Sequence, residues 1–241
     1  MLHRIAVAAC ADRAATVIEI GPGRGALTAH LLERADRVVA VEVDPILVQY
    51  LRAKFRAADR GAAPGEARLE LVEGDILKVD LARWGPAVVV GNLPYYITSP
   101  IVEKVLGLGA ALARAVFLVQ KEVAERLTAG PGSRDYGYLT VATQFFAKVE
   151  YLFTVPPAAF HPPPKVESAV VRLTPRSELP ATDPAAFLRF VSLAFRHKRK
   201  TLRNNLIEAY GREALAALPE AGLRAEQMGL DALLELRTKL H

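Results

Sequence analysis

Short apolar runs rich in β-branched residues recur through the first half of the chain, at residues 16–20, 38–43, 69–73, 87–91 and 115–120. Between them, residues 27–34, 45–57 and 100–108 carry apolar side chains at helical spacing. This alternation predicts a parallel sheet covered by helices on both faces, because strands buried on both sides lose the polar alternate position. After residue 120 the pattern changes. A helix over 122–127 leads into a glycine-rich loop that ends at 137, and an amphipathic stretch covers 139–146. Two further strands, 149–155 and 166–173, flank the proline-rich segment 156–164, which suggests an antiparallel pair at one sheet edge. Proline, serine, threonine and aspartate gather at 174–184, the composition of a linker, and only helical patterns follow. The expected organisation is therefore an α/β doubly wound domain over 1–176 and a small helical domain over 184–241. The first eleven residues read as a helix rather than a signal peptide. Residues 56–68 read as a loop rich in alanine, glycine and charge.

Composition narrows this picture only a little. A chain of 241 residues, 51% hydrophobic, can bury one full core and a small second one. The net charge of +5 favours a polyanionic partner. The single cysteine, Cys10, excludes an internal disulfide framework and fits a reducing cytoplasm, the expected location. No apolar run is long enough to cross a bilayer. No histidine–cysteine cluster suggests a metal, and no apolar docking stripe argues against a monomer.

Chemistry concentrates at the strand ends. Asn92-Leu93-Pro94-Tyr95 closes the fourth apolar run. There the Asn92 amide oxygen and a backbone carbonyl beside the proline can accept the two hydrogens of an exocyclic amine. Proline fixes the backbone that presents this carbonyl. The Tyr95 ring offers a face on which a flipped base can stack. The bland alternative is a strand end with a proline turn and a core tyrosine. Glu19-Ile20-Gly21-Pro22-Gly23-Arg24-Gly25 lets the backbone approach a ligand closely where a strand turns into a helix. By itself that loop suits nicotinamide and flavin enzymes as well. Glu42, ending the second strand, is placed to accept bonds from ribose hydroxyls, and Asp75 after the third can receive the amino group of an adenine. Each acid alone is more often a solvated loop residue; in ordered succession they point to one nucleoside-binding edge.

The chain resembles the ribosomal RNA adenine dimethyltransferases, over most of its length from about residue 18. Glu19 to Thr28 is similar to the family's glycine motif, and Asn92 to Tyr95 to its catalytic motif. Gln120-Lys121-Glu122-Val123-Ala124-Glu125-Arg126-Leu127 followed by Tyr136-Gly137-Tyr138-Leu139 adds a third match, and residues 155–170 with Phe160 in the proline-rich loop a fourth. Phe195 to Leu206 resembles the small-domain segment of the bacterial branch. The resemblance implies S-adenosylmethionine as methyl donor. Gly21, Gly23, Gly25, Glu42, Asp75, Ile76 and Asn92 would lie in its site. It also implies that Asn92, Leu93, Pro94 and Tyr95 serve catalysis, with the target adenine held between Tyr95 and Phe160. Without the resemblance, Phe160 is equally well a hydrophobic plug. The substrate implied is small-subunit ribosomal RNA in a 30S precursor, dimethylated at N6 of two adjacent adenosines near its 3′ end. Relatives of this kind carry a Gly-Gln-Asn-Phe-Leu stretch and a basic tail before the first strand; this sequence begins at Met1, in the helix that follows.

Arg196, Lys198, Arg199, Lys200 and Arg203 form a basic run. At helical spacing Arg196, Arg199, Lys200 and Arg203 would share a face, with Phe195 and Leu202 turned inward. A charge run is usually a solvated face; beside an RNA-modifying domain, phosphate binding is the better reading. Three other functions stay open on sequence alone: a large-subunit rRNA adenine methyltransferase conferring antibiotic resistance, a non-catalytic ribosome-assembly protein that binds RNA, and a nicotinamide oxidoreductase.

Overall fold

A computed structural model describes residues 1–56 and 68–240. The alanine- and glycine-rich loop expected at 56–68 therefore lies, apart from its two end residues, outside the described residues. Contacts divide the chain into two compact units, Met1–Ala124 with Val149–Pro175 and Glu125–Lys148 with Arg176–His241.

The first unit runs α1 (Leu2–Ala9), β1 (Ala14–Ile20), α2 (Ala26–Leu32), β2 (Ala35–Glu42), α3 (Pro45–Lys54), β3 (Leu69–Glu73), β4 (Ala87–Asn92), α4 (Thr98–Leu106) and β5 (Leu112–Gln120). The chain continues through α5 (Lys121–Thr128) and α6 (Tyr138–Phe146), then returns as β6 (Ala147–Val155) and β7 (Ser168–Pro175). The seven-stranded sheet has the order β3-β2-β1-β4-β5-β7-β6. The five strands read first from the apolar runs are parallel, and β7 lies antiparallel against β5 with β6 outside it. Strand order reverses between β1 and β4, and in such sheets ligands bind at that switch point. The register brings the reactive strand ends level. Ile20 stands opposite Val41 on one side and Gly91 on the other, and Glu42 stands opposite Glu73. Gly91 has to be glycine, since a Cβ there would sit 2.9 Å from the Ile20 carbonyl oxygen.

Strand ends differ from expectation where polar residues find partners. β2 starts at Ala35, three residues early, because Arg37 faces Thr16 in the ladder and its Nη2 lies 2.6 Å from Glu70 on β3. β7 starts only at Ser168, leaving Val166 exposed. Buried Ile5, Ala6 and Ala9 of α1 join Leu27 and Leu31 of α2 over Val38, Ala40 and Val90 of the sheet. This confirms the opening residues as a core helix.

The second unit holds α6 and the helices α7 (Pro184–Ala194), α8 (Leu202–Tyr210), α9 (Arg212–Ala216) and α10 (Leu230–Lys239). Pro184 opens α7 with Asp183 as its cap, the carboxylate accepting a bond from the Ala185 amide at 3.0 Å. Tyr136, Phe145, Phe187, Phe190 and Leu202 form its core, with the Phe145 and Phe187 rings stacked at 4.9 Å. Residues 125–148, which sequence order places in the first domain, thus group with the second. The apolar face of α6 finds its partners on helices that come some forty residues later in the sequence.

The basic run departs from the helical expectation. α7 ends at Ala194, residues 195–201 turn, and α8 begins at Leu202. Buried Asn205 holds this turn, its Nδ2 donating to the carbonyl oxygens of Ala194 at 2.7 Å and His197 at 3.2 Å. Arg196, Lys198, Arg199 and Lys200 therefore sit on a loop and Arg203 on the first turn of α8, not on one helical face. Phe195 and Leu202 do point inward, but from the ends of two different helices.

Candidate active site

The glycine loop after β1 is built for close approach. Gly21, Gly23 and Gly25 all have positive φ, at 62°, 57° and 73°. Gly25 is doubly constrained: besides its left-handed backbone, a Cβ would come within 2.5 Å of the Phe55 ring and 2.7 Å of Leu51. It therefore sets how tightly α2 starts against α3.

Glu42 stabilises this loop. Its Oε2 accepts a bond from the Gly23 amide at 3.1 Å, and its Oε1 accepts from the amides of Val43 at 2.9 Å and Asp44 at 3.1 Å. Two oxygens offer about four acceptor positions, so the carboxylate keeps roughly one open. Beneath it, Glu19 is fully buried and accepts a bond from Thr28 Oγ1 at 2.6 Å. Burial, chiefly, pushes the Glu19 carboxyl up to about 7; the Thr28 bond opposes this and the Glu42 charge adds to it. Asp75 caps the turn after β3 through a bond from the Leu77 amide at 2.9 Å, and its side chain stays partly exposed.

Ile20, Gly21, Val41, Glu42, Val43, Gly74, Asp75, Ile76, Leu77, Pro94, Tyr96, Ile97 and Ile101 enclose a cavity of about 290 Å³. Of the residues singled out from sequence, it gathers Gly21, Glu42, Asp75, Ile76 and Pro94. Gly23 reaches the site through its bond to Glu42, and Gly25 acts as the N-cap of α2. Tyr96, 85% exposed and outside the sequence motifs singled out above, also lines the cavity. The apolar walls Val43, Leu77, Ile97 and Ile101 were also missed. A strand-end valine or isoleucine looks the same in sequence whether it faces core or ligand.

The tetrad stands at the same sheet edge. Asn92 is exposed at the end of β4, and Leu93 is buried with its amide donating to the Leu118 carbonyl at 3.0 Å. Pro94 has φ −60° and ψ 131°, and its own carbonyl is occupied, accepting bonds from the Ile97 amide at 3.2 Å and Thr98 Oγ1 at 3.1 Å. Tyr95 is 39% exposed, and its hydroxyl lies 3.2 Å from Ser168 Oγ. Ser168 was not anticipated, because a serine opening a strand gives no chemical signal. Phe160 is half-buried and packs against the apolar cluster of α1, α2 and the sheet. The basic residues 196–203 belong to the second unit.

The sequence profile of the ribosomal RNA adenine dimethylases matches residues 1–231. The chain is 46% identical to a ribosomal RNA small subunit methyltransferase A from Acidobacterium capsulatum, over 92% of this chain and 80% of that one. It superposes on a dimethyladenosine transferase from Plasmodium falciparum with a TM-score of 0.84 at 25% identity, covering 99% of this chain and 96% of that one. The 23S rRNA methyltransferase ErmE matches with a TM-score of 0.73 at 30% identity, over 99% and 96% of the two chains. With the switch-point cavity, the glycine loop and the tetrad at one edge of the sheet, these likenesses place the chain in the ribosomal RNA adenine dimethylase family.

Proposed function

We propose that this protein transfers methyl groups from S-adenosylmethionine to N6 of two adjacent adenosines near the 3′ end of small-subunit ribosomal RNA, acting as a cytoplasmic monomer on a 30S precursor. The observation that carries the reading is the juxtaposition of the Asn92 tetrad with a cavity suited to a nucleoside. Gly21, Glu42, Asp75 and Ile76 would hold the donor: Glu42 keeps an acceptor position for a ribose hydroxyl, Asp75 accepts from an amino group, and Ile76, Leu77 and Ile97 offer apolar faces to a purine. When bound, the sulfonium would supply an activated methyl group and its own leaving group, and the alkylated amine would release its proton to solvent.

The chain's residues prepare the amine. The Asn92 side-chain oxygen accepts one hydrogen of the adenine amine. Pro94's carbonyl is occupied, so the second acceptor is the carbonyl of Leu93. Accepting both hydrogens draws the lone pair out of conjugation with the ring, and acceptors preorganised for that geometry act mainly in the transition state. Tyr95 stacks on the extruded base, a contact that contributes about 1–3 kcal/mol and offsets part of the unstacking cost. Phe160, half-buried against the core cluster, supplies the second face of the sandwich. The loop 195–201 contributes cations for phosphates. Small-subunit relatives at 42–47% identity, against 30% for the 23S enzyme, support the small subunit as target.

The decisive experiment is methyl transfer from labelled donor to small subunits lacking dimethyladenosine, with nucleoside analysis by mass spectrometry. Dimethyladenosine is the expected product. Product on free large-subunit RNA instead would move the target, and RNA binding without any transfer would support a binding protein.

A further inference from the structure

We propose that Ser168 is a positioning residue for the transfer reaction, fixing the Tyr95 ring through a hydroxyl–hydroxyl hydrogen bond. The proposal rests on reading Tyr95 as the stacking platform for the target base. Tyr95 begins a single 3₁₀ turn, and 39% of it is open to solvent. A ring so placed would change rotamer on the ps–ns scale of exposed side chains. Among the described residues its side-chain hydrogen bond is the one between its hydroxyl and Ser168 Oγ, at 3.2 Å.

Ser168 is well suited to anchor it. The residue is fully buried and paired with Gln120 across the β5–β7 ladder. The residue before it is fastened twice to the same neighbour: the Lys121 amide donates to the Glu167 carbonyl at 3.0 Å, and the Lys121 ammonium meets the Glu167 carboxylate at 2.7 Å. The sheet register explains the reach. Leu118 of β5 stands opposite Asn92 on one side and Val170 on the other, so Ser168 lies just beyond the end of β4, where the tetrad turns. The strand thus carries to Tyr95 a rigidity that its own turn lacks. A base that stacks on a fixed ring meets the Asn92 and Leu93 oxygens at one distance and angle, and small misplacements of reacting groups are costly.

The test is a double-mutant cycle on turnover, with Ser168→Ala, Tyr95→Phe and the pair, at saturating donor and RNA. Both changes delete the same bond and keep the aromatic ring. Each single variant should lower kcat by roughly two- to tenfold, the range of one net hydrogen bond, with RNA affinity unchanged. The pair should lose no more than the worse single variant. Losses that multiply, or a Ser168→Ala enzyme with wild-type kcat, would overturn the proposal. Tyr95→Phe alters an exposed ring, so it keeps the test open should the buried serine change fail to fold. A readout independent of turnover is NMR of ring-labelled tyrosine, with the Tyr95 signal assigned by its loss in Tyr95→Phe. That signal should shift and sharpen in Ser168→Ala, and an unchanged signal would refute the anchor. A wild-type protein without transfer would instead refute the methyltransferase reading and leave the spectra to decide the anchor.

Discussion

Thr28 donates a 2.6 Å hydrogen bond to Glu19, joining the end of β1 to α2 beneath the glycine loop, with both residues out of contact with water. The bond favours the carboxylate, yet desolvation wins and lifts the folded-state value from 4.5 to about 7. Between those values the native protein holds a proton that the unfolded chain has released. The contribution of Glu19 to stability is therefore fully present below pH 4.5 and is lost as the pH rises through 7. Glu19→Gln, neutral at every pH, should flatten the stability profile across that window, as measured by denaturant unfolding at pH 5 and pH 8. An equally steep profile in the variant would assign the dependence elsewhere.

Asn92 is exposed at the end of β4 and free to meet a base. Asn92→Ala should lower the rate of methyl transfer by about 10²–10³-fold, the cost typical of deleting one preorganised transition-state partner. RNA binding and melting temperature should stay at wild-type values. Turnover within a few-fold of wild type would remove Asn92 from the chemistry.

Three backbone amides converge on the Glu42 carboxylate, the group proposed above to receive the ribose of the donor. Glu42→Ala should weaken donor binding by about tenfold or more, the loss of one hydrogen bond to a charged group. The variant should also melt earlier, because the amides of Gly23, Val43 and Asp44 lose their acceptor. Calorimetric titration with S-adenosylmethionine reads the first effect and thermal unfolding the second. Unchanged donor affinity would refute the ribose assignment.

The loop of residues 195–201 differs internally. Arg196 is engaged with Glu208 at 2.9 Å and Lys198 with the carbonyl of Arg134, whereas Arg199 and Lys200 are exposed. Replacing Arg199 and Lys200 with alanine should weaken RNA binding and reduce its salt slope by up to about 1.5, the release expected for two phosphate contacts. Binding measured from 50 to 200 mM salt tests this, and an unchanged slope would rule out phosphate contact.

Much of the fold is legible from the residues. Parallel strands buried on both faces read as largely apolar runs, so β1, β2, β4 and β5 stand out, and glycine, proline and acids mark where strands end. Edges are harder. Arg37 extends β2 only because Glu70 waits on the next strand, and the basic run looks helical until Asn205 is seen to hold its turn open.

The sequence by itself determined which residue types stand at each strand end, and so the chemistry this protein carries: a glycine loop, two acids and an amide-proline-aromatic tetrad in order along the chain. These are covalent facts, and alternation of strand and helix places such ends on one edge of a parallel sheet. Tertiary structure alone decided what depends on partners distant in sequence. It drew residues 125–148 into the second unit, packed Phe160 against the core, lifted the Glu19 carboxyl by burial and set Ser168 against Tyr95. Packing, desolvation and hydrogen-bond geometry act through space, so a linear pattern fixes them only once the chain has folded.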